Sequence, residues 1–137
     1  VPTLLLVMGR QSYQQVDAEL RARAAFLGQD LLEEMLSRAW DESGYSDPLG
    51  PEAGEARTAC GQGPGSFDDL DDYHGYSETC TWDGASFTRQ VQVCYTDASA
   101  PDECLASGTT DYKKITVRLS SQQLGSLSFS TLRAKLQ

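Results

Sequence analysis

The first forty residues carry apolar side chains in a pattern whose width changes along the chain. Leu4 to Met8 is apolar on every side. From Gln11 onward polar residues take over, and Val16, Leu20, Ala24, Leu27 and Leu31 recur at steps of three and four, which keeps them on one narrow stripe of a helix. By Leu31, Leu32, Met35, Leu36, Ala39 and Trp40 the stripe has widened to about half the circumference, as expected where a helix enters a globular core. The pattern predicts one helix from Val1 to Trp40 that stops near Ser43 and Gly44. At ~1.5 Å per residue it would be ~60 Å long, and it needs a partner along its length.

The second half changes period. Phe87, Val91, Val93 and Tyr95 alternate with Thr88, Gln90 and Gln92, the signature of a half-buried strand. Residues 112–119 repeat it through Ile115, Val117 and Leu119, and residues 127–131 alternate with serines. Turn-rich stretches at 97–111 and 120–125 separate these runs, so sequential strands form an antiparallel meander. Between helix and strands lie Pro48, Gly50, Pro51 and Gly54, the glycines of 61–65, and the segment Ser66 to Gly75, with a short helical turn expected at 67–73. The fold class is α+β: a long N-terminal helix whose broad end covers the apolar face of about three to four antiparallel strands. Residues 1–43 form the helix and residues 44–137 the head, together one structural domain.

Composition sharpens the picture. At 137 residues and 39% hydrophobic content the chain builds one modest core. The formal charge is -9. It is carried by the middle, where residues 41–111 hold fifteen acids against Arg57 and Arg89, while residues 112–137 hold five bases and no acid. An acidic centre repels phosphate, which argues against nucleic acid as a partner and in favour of a cation or a basic surface.

Cys60, Cys80, Cys94 and Cys104 all follow the helix, and none forms a CxxC pair. An even number at wide spacing fits two disulfides in an oxidising compartment better than four cytosolic thiols. Of the three connectivities we prefer Cys60 with Cys80 and Cys94 with Cys104, since each closes a loop between neighbouring segments. No stretch reaches the length of a membrane span, although the apolar start is suited to be the tail of a longer hydrophobic segment.

A long amphipathic helix laid across an antiparallel sheet, with a disulfide-bearing loop between, resembles the type IV pilin and type II secretion pseudopilin family. Pro2, inside an apolar run that passes into a polar, Arg-bearing helix, looks like the family's proline midway along its N-terminal helix. The run from Arg23 to Arg38, the segment from Gly65 to Gly75 and the ending Leu132-Arg-Ala134 are similar to the MshD-like (MSHA-type) minor pilins. The family's processing signature, a glycine followed by phenylalanine and glutamate, is absent. The resemblance implies a structural subunit of a cell-surface filament or periplasmic pseudopilus, serving adhesion or protein secretion. Its partners would be other pilin or pseudopilin subunits, and the inner membrane before assembly, through a helical segment that this sequence does not contain. Leu4, Leu5 and Val7 would then lie in the fibre core, and Val16, Leu20, Ala24, Leu27 and Leu31 would form a seam between helices. The alternatives are a stripe that packs only inside its own domain or in an ordinary homodimer, and a freestanding secreted binding module, adhesin-like or calcium-binding, that does not polymerise. A basic leader ending in glycine, followed by ~20 apolar residues at the precursor's start, decides for the filament.

Asp68, Asp69, Asp71 and Asp72 have three readings. One is structural, with Asp68 or Asp69 capping a short helix; one is calcium ligation; one is recognition by a basic surface. Lys113, Lys114 and Arg118 are the internal candidates for compensating their charge. The spacing is not that of an EF-hand, and no cofactor is required by the pattern. His74 is the single histidine, which argues against a multi-histidine metal site and against a catalytic triad, and the glycines of 61–65 lack the Lys-Ser/Thr of a phosphate loop. An enzyme is not expected.

Overall fold

The structure, a computed structural model, describes residues 2–41, 44–45, 48–57, 60, 65–82 and 84–135, with side chains of the helix from Ala18 onward. Helix α1 (Pro2–Leu36) is followed by a 3-10 turn (Asp71–Tyr73) and strands β1 (Ser77–Trp82), β2 (Ala85–Tyr95), β3 (Tyr112–Ser121) and β4 (Gly125–Ala134). The strands pair antiparallel in the order β1-β2-β3-β4. Every neighbour in the sheet is thus a neighbour in the chain.

Strand parity decides what faces the helix. In β2 the residues Phe87, Arg89, Val91, Val93 and Tyr95 are buried, and in β3 so are Lys113, Ile115, Val117 and Leu119. Val91 lies beside Val117, and Val117 beside Phe129, so the inward rows align across the sheet. Ala24, Leu31 and Met35 complete the cluster from α1, with Leu20, Leu27 and Leu32 packed at its rim. At Gly28 the helix approaches the sheet closely. A Cβ built there would stand 2.6 Å from Leu119 Cδ1 and from the Phe129 ring, so the hydrogen side chain sets the depth to which α1 settles.

Two expectations need correction. The helix ends at Leu36 rather than near Ser43. The Arg38 amide turns back to Met35 at 3.0 Å, and tertiary donors then claim successive carbonyls: Arg133 takes that of Arg38 (2.7 Å), the Leu70 amide that of Ala39 (2.8 Å) and Lys113 that of Trp40 (2.9 Å). These contacts hold residues 38–40 outside the helix and give Ala39 a parallel bridge to Asp69. The sheet also begins earlier than the alternation suggests, at Ser77, because the inward row of β1 includes Glu78 and disguises the period. The stripe expected to pack between helices also makes contacts within the chain. Ala24 and Leu31 are buried in the chain's own core, and Leu20 and Leu27 pack against it, because the sheet's apolar face has α1 as its cover. The side chains of Leu4, Leu5, Val7 and Val16 lie outside the described residues.

Two disulfides brace the loops, Cys60–Cys80 joining the loop before the acidic segment to β1 and Cys94–Cys104 joining β2 to the 96–111 loop. Leu105 donates its amide to the Tyr95 carbonyl (2.9 Å), and Thr110 Oγ1 donates to that of Thr96 (2.6 Å), so this second loop folds back onto the strand end.

Candidate functional site

The acidic segment does not lie on the surface. Phe67, Leu70 and Tyr73 are anchored in the core, with Phe67 edge-on to Tyr73 (5.0 Å) and Tyr76 (5.6 Å). These anchors pull the intervening aspartates inward. Asp69, Asp71 and Asp72 are fully buried, while Asp68 is exposed. Asp72 Oδ2 accepts the amides of Asp68 (2.9 Å) and Asp69 (3.2 Å), and Asp69 Oδ1 accepts that of Asp72 (3.3 Å), a reciprocal arrangement that fixes the turn. Asp71 is different. Neither of its carboxylate oxygens has a hydrogen-bond partner among the described residues, and Asp72 Oδ1 and Glu52 Oε2 are likewise buried without one.

Glu52 comes from the Pro/Gly-rich loop, and its carboxylate joins those of Asp69, Asp71 and Asp72 with oxygens all within 4.8 Å of one another. A second grouping, overlapping the first, combines Glu52, Glu55, Asp68 and Asp72. The electrostatic consequence is visible in the acidities. Burial, then the neighbouring Asp69 carboxylate, push Asp71 up to about 8, with Lys113 opposing. Burial likewise pushes Asp72 up to about 7, against the pull of the two backbone amides that it accepts. Of the three bases expected to compensate, the fold delivers one. Lys113 is fully buried, 3.8 Å from Asp41 Oδ2 and beside the rings of Trp40 (4.3 Å) and Tyr95 (5.3 Å). Lys114 turns to the Asp102 carbonyl and Arg118 to Ser126 on the other face.

A separate charge network seals the adjoining side of the core. Arg57 presents Nε and Nη2 to the two oxygens of Glu34 (2.9 and 3.0 Å) and Nη1 to Glu78 (2.7 Å) and Tyr76 (3.2 Å). Arg89 pairs with Glu78 across the β1–β2 ladder and donates to the Leu27 carbonyl of α1 (3.0 Å). Tyr73 donates to Glu34 (2.8 Å). Helix, loop, acidic turn and sheet are thereby tied at one point. His74, the single histidine, accepts the Val93 amide at Nδ1 (3.0 Å), and burial lowers its pKa. It holds the turn against β2.

The sequence pointed to three of the four clustered carboxylates and missed Glu52, which sits in an aperiodic loop nineteen positions before Asp71. It also passed over Arg89, although its parity with Phe87 and Val91 places it on the inward row. No family model matches this chain, and neither a curated protein nor a solved structure matches it.

Proposed function

We propose that the chain is a structural subunit, a minor pilin or pseudopilin, of an extracytoplasmic type IV filament, with its N-terminal helical segment in the filament and the sheet-bearing head outward. The observation that carries the reading is the division of labour along one helix. Residues Leu20 to Met35 fasten α1 to a sequential antiparallel sheet, and the sequence upstream carries a further apolar run, Leu4 to Met8. Two disulfides support an extracytoplasmic head. Among the described residues no helix is long and apolar enough to cross a membrane, and the reading assigns inner-membrane anchoring before assembly to a segment preceding Val1. With Leu20 to Leu31 engaged inside the domain, contacts between subunits fall to Leu4, Leu5, Val7 and Val16.

The test is Leu4→Asp with Val7→Asp. The head should keep its melting temperature while the chain disappears from sheared surface filaments and collects as free extracytoplasmic protein. Unchanged incorporation overturns the reading. A second reading, a freestanding secreted binding module, draws on the burial of Ala24 and Leu31, which shows a head that covers its own sheet. Under it both variant and parent remain soluble monomers.

A further inference from the structure

Buried carboxylates without partners are costly, because an ionised group removed from water must be paired, hydrogen-bonded or neutralised. Here the imbalance is local and large. Asp69, Asp71 and Asp72 have no exposed surface, Glu52 closes over them, and four of their oxygens, both of Asp71 and one each of Asp72 and Glu52, are buried without a hydrogen bond among the described residues. Lys113 brings one positive charge to this side of the core, and its ammonium is directed to the Trp40 carbonyl and towards Asp41. One ammonium does not balance four carboxylates. A basic macromolecular partner cannot reach the three aspartates either, since they have no exposed surface.

We propose that Glu52, Asp69, Asp71 and Asp72 form a binding site for one calcium ion, which clamps the 48–57 loop onto the acidic turn. The donor set is all oxygen and strongly anionic, the preference of a hard divalent cation, with no nitrogen or thiolate donor in the group. An ion at about 2.3–2.6 Å from each ligand spans oxygens up to ~5 Å apart, and one oxygen from each of the four residues lies within 4.8 Å of the others. Asp71, with both oxygens available, is placed for bidentate ligation, whereas Asp72 has one oxygen fixed by the Asp68 and Asp69 amides and turns the other inward. Those two amides hold the ligand in place before any ion arrives. Calcium is favoured over magnesium because magnesium retains several waters and seldom takes a cage of protein carboxylates. Asp68, exposed, stands outside the site. The site does not depend on the filament reading, since it is complete within one chain.

The experiment uses the purified chain, stripped with EDTA and dialysed free of it. Titration with CaCl2 should show one ion per chain and, at a hundredfold excess over the dissociation constant, raise the melting temperature by about 5–10 °C, with EDTA reversing the shift. Magnesium at equal concentration should give a smaller shift. Asp71→Asn should abolish stoichiometric binding while leaving the calcium-free protein folded. Glu52→Gln, on the loop side, should weaken binding at least tenfold with the turn intact. The site is refuted by a melting temperature indifferent to calcium, or by calcium binding that survives both substitutions unchanged.

Discussion

Arg57 is the position where one substitution should reveal what holds the helix, the loop and the sheet together. Its side chain is 2% exposed and meets the Glu34 carboxylate in bidentate fashion while also reaching Glu78 and Tyr76. Arg57→Met keeps the apolar stem and removes the charge. Glu78 retains Arg89 and Tyr76, but Glu34 is left with the Tyr73 hydroxyl as its remaining partner in this network. Removing one member of a buried pair costs about 3–5 kcal/mol, chiefly the penalty of the charge left behind. For a chain of this size that corresponds to a fall of roughly 10–20 °C in melting temperature. Arg57→Lys should recover little, because an ammonium cannot make the paired contact with Glu34. Adding Glu34→Gln to Arg57→Met should restore part of the loss, a coupling of about 1–3 kcal/mol in a double-mutant cycle. The acid dependence follows from the same pair. Burial works to raise the Glu34 pKa, yet the hydrogen bonds from Arg57 and Tyr73 and the charges of Arg57 and Arg89 outweigh it, so the folded value lies below the ordinary glutamate value. A lowered carboxylate pKa contributes stability that is present above the unfolded value and lost as pH falls through the folded one. The gap between parent and Arg57→Met should therefore narrow as pH drops below 4.5. Urea unfolding at several pH values measures it. A loss under about 1 kcal/mol at neutral pH, or strict additivity in the cycle, would refute the reasoning.

The remaining predictions concern the staples and the helix seat. Replacing Cys60 and Cys80 by Ser, across a separation of 20, should cost about 3.3 kcal/mol, and replacing Cys94 and Cys104, across 10, about 2.7 kcal/mol by the chain-entropy relation; losses below 1 kcal/mol for both would show bridges without a structural role. Gly28→Val gains roughly 0.4 kcal/mol of helix propensity but meets Leu119 and Phe129, and overpacking of about 1–3 kcal/mol should dominate; an unchanged or higher denaturation midpoint would contradict the close approach.

The sequence disclosed what periodicity can disclose. The broad end of the stripe, Leu31 to Met35, marked the face that α1 turns to the sheet, and the alternation around Val91, Val117 and Leu127 marked three of the four strands. It failed where charged residues occupy inward positions. Glu78, Arg89 and Lys113 break the apolar rows of β1, β2 and β3, and each is tolerated because a partner waits on another element: Arg57 for Glu78, the Leu27 carbonyl for Arg89, the Trp40 carbonyl for Lys113. Those partners are long-range, so no local pattern announces them. The same holds for the carboxylate cluster. Four aspartates in five positions are conspicuous, but their burial depends on Phe67, Leu70 and Tyr73 drawing the turn inward, and Glu52 arrives from a loop that has no period. The helix end was misplaced for a related reason, since the apolar pattern runs on to Trp40 while tertiary donors take the carbonyls of residues 38–40.

The central claim is that this chain is built to be held in a filament by its N-terminal segment and to present the head. It is tested most directly by immunogold electron microscopy of filaments sheared from cells that make the full-length protein, using antibody raised against residues 65–135. The account predicts gold on the filaments, along the shaft or at the tip, and loss of that label when Leu4→Asp and Val7→Asp are introduced together. Gold confined to soluble extracytoplasmic material, with filaments unlabelled in the parent, would contradict it.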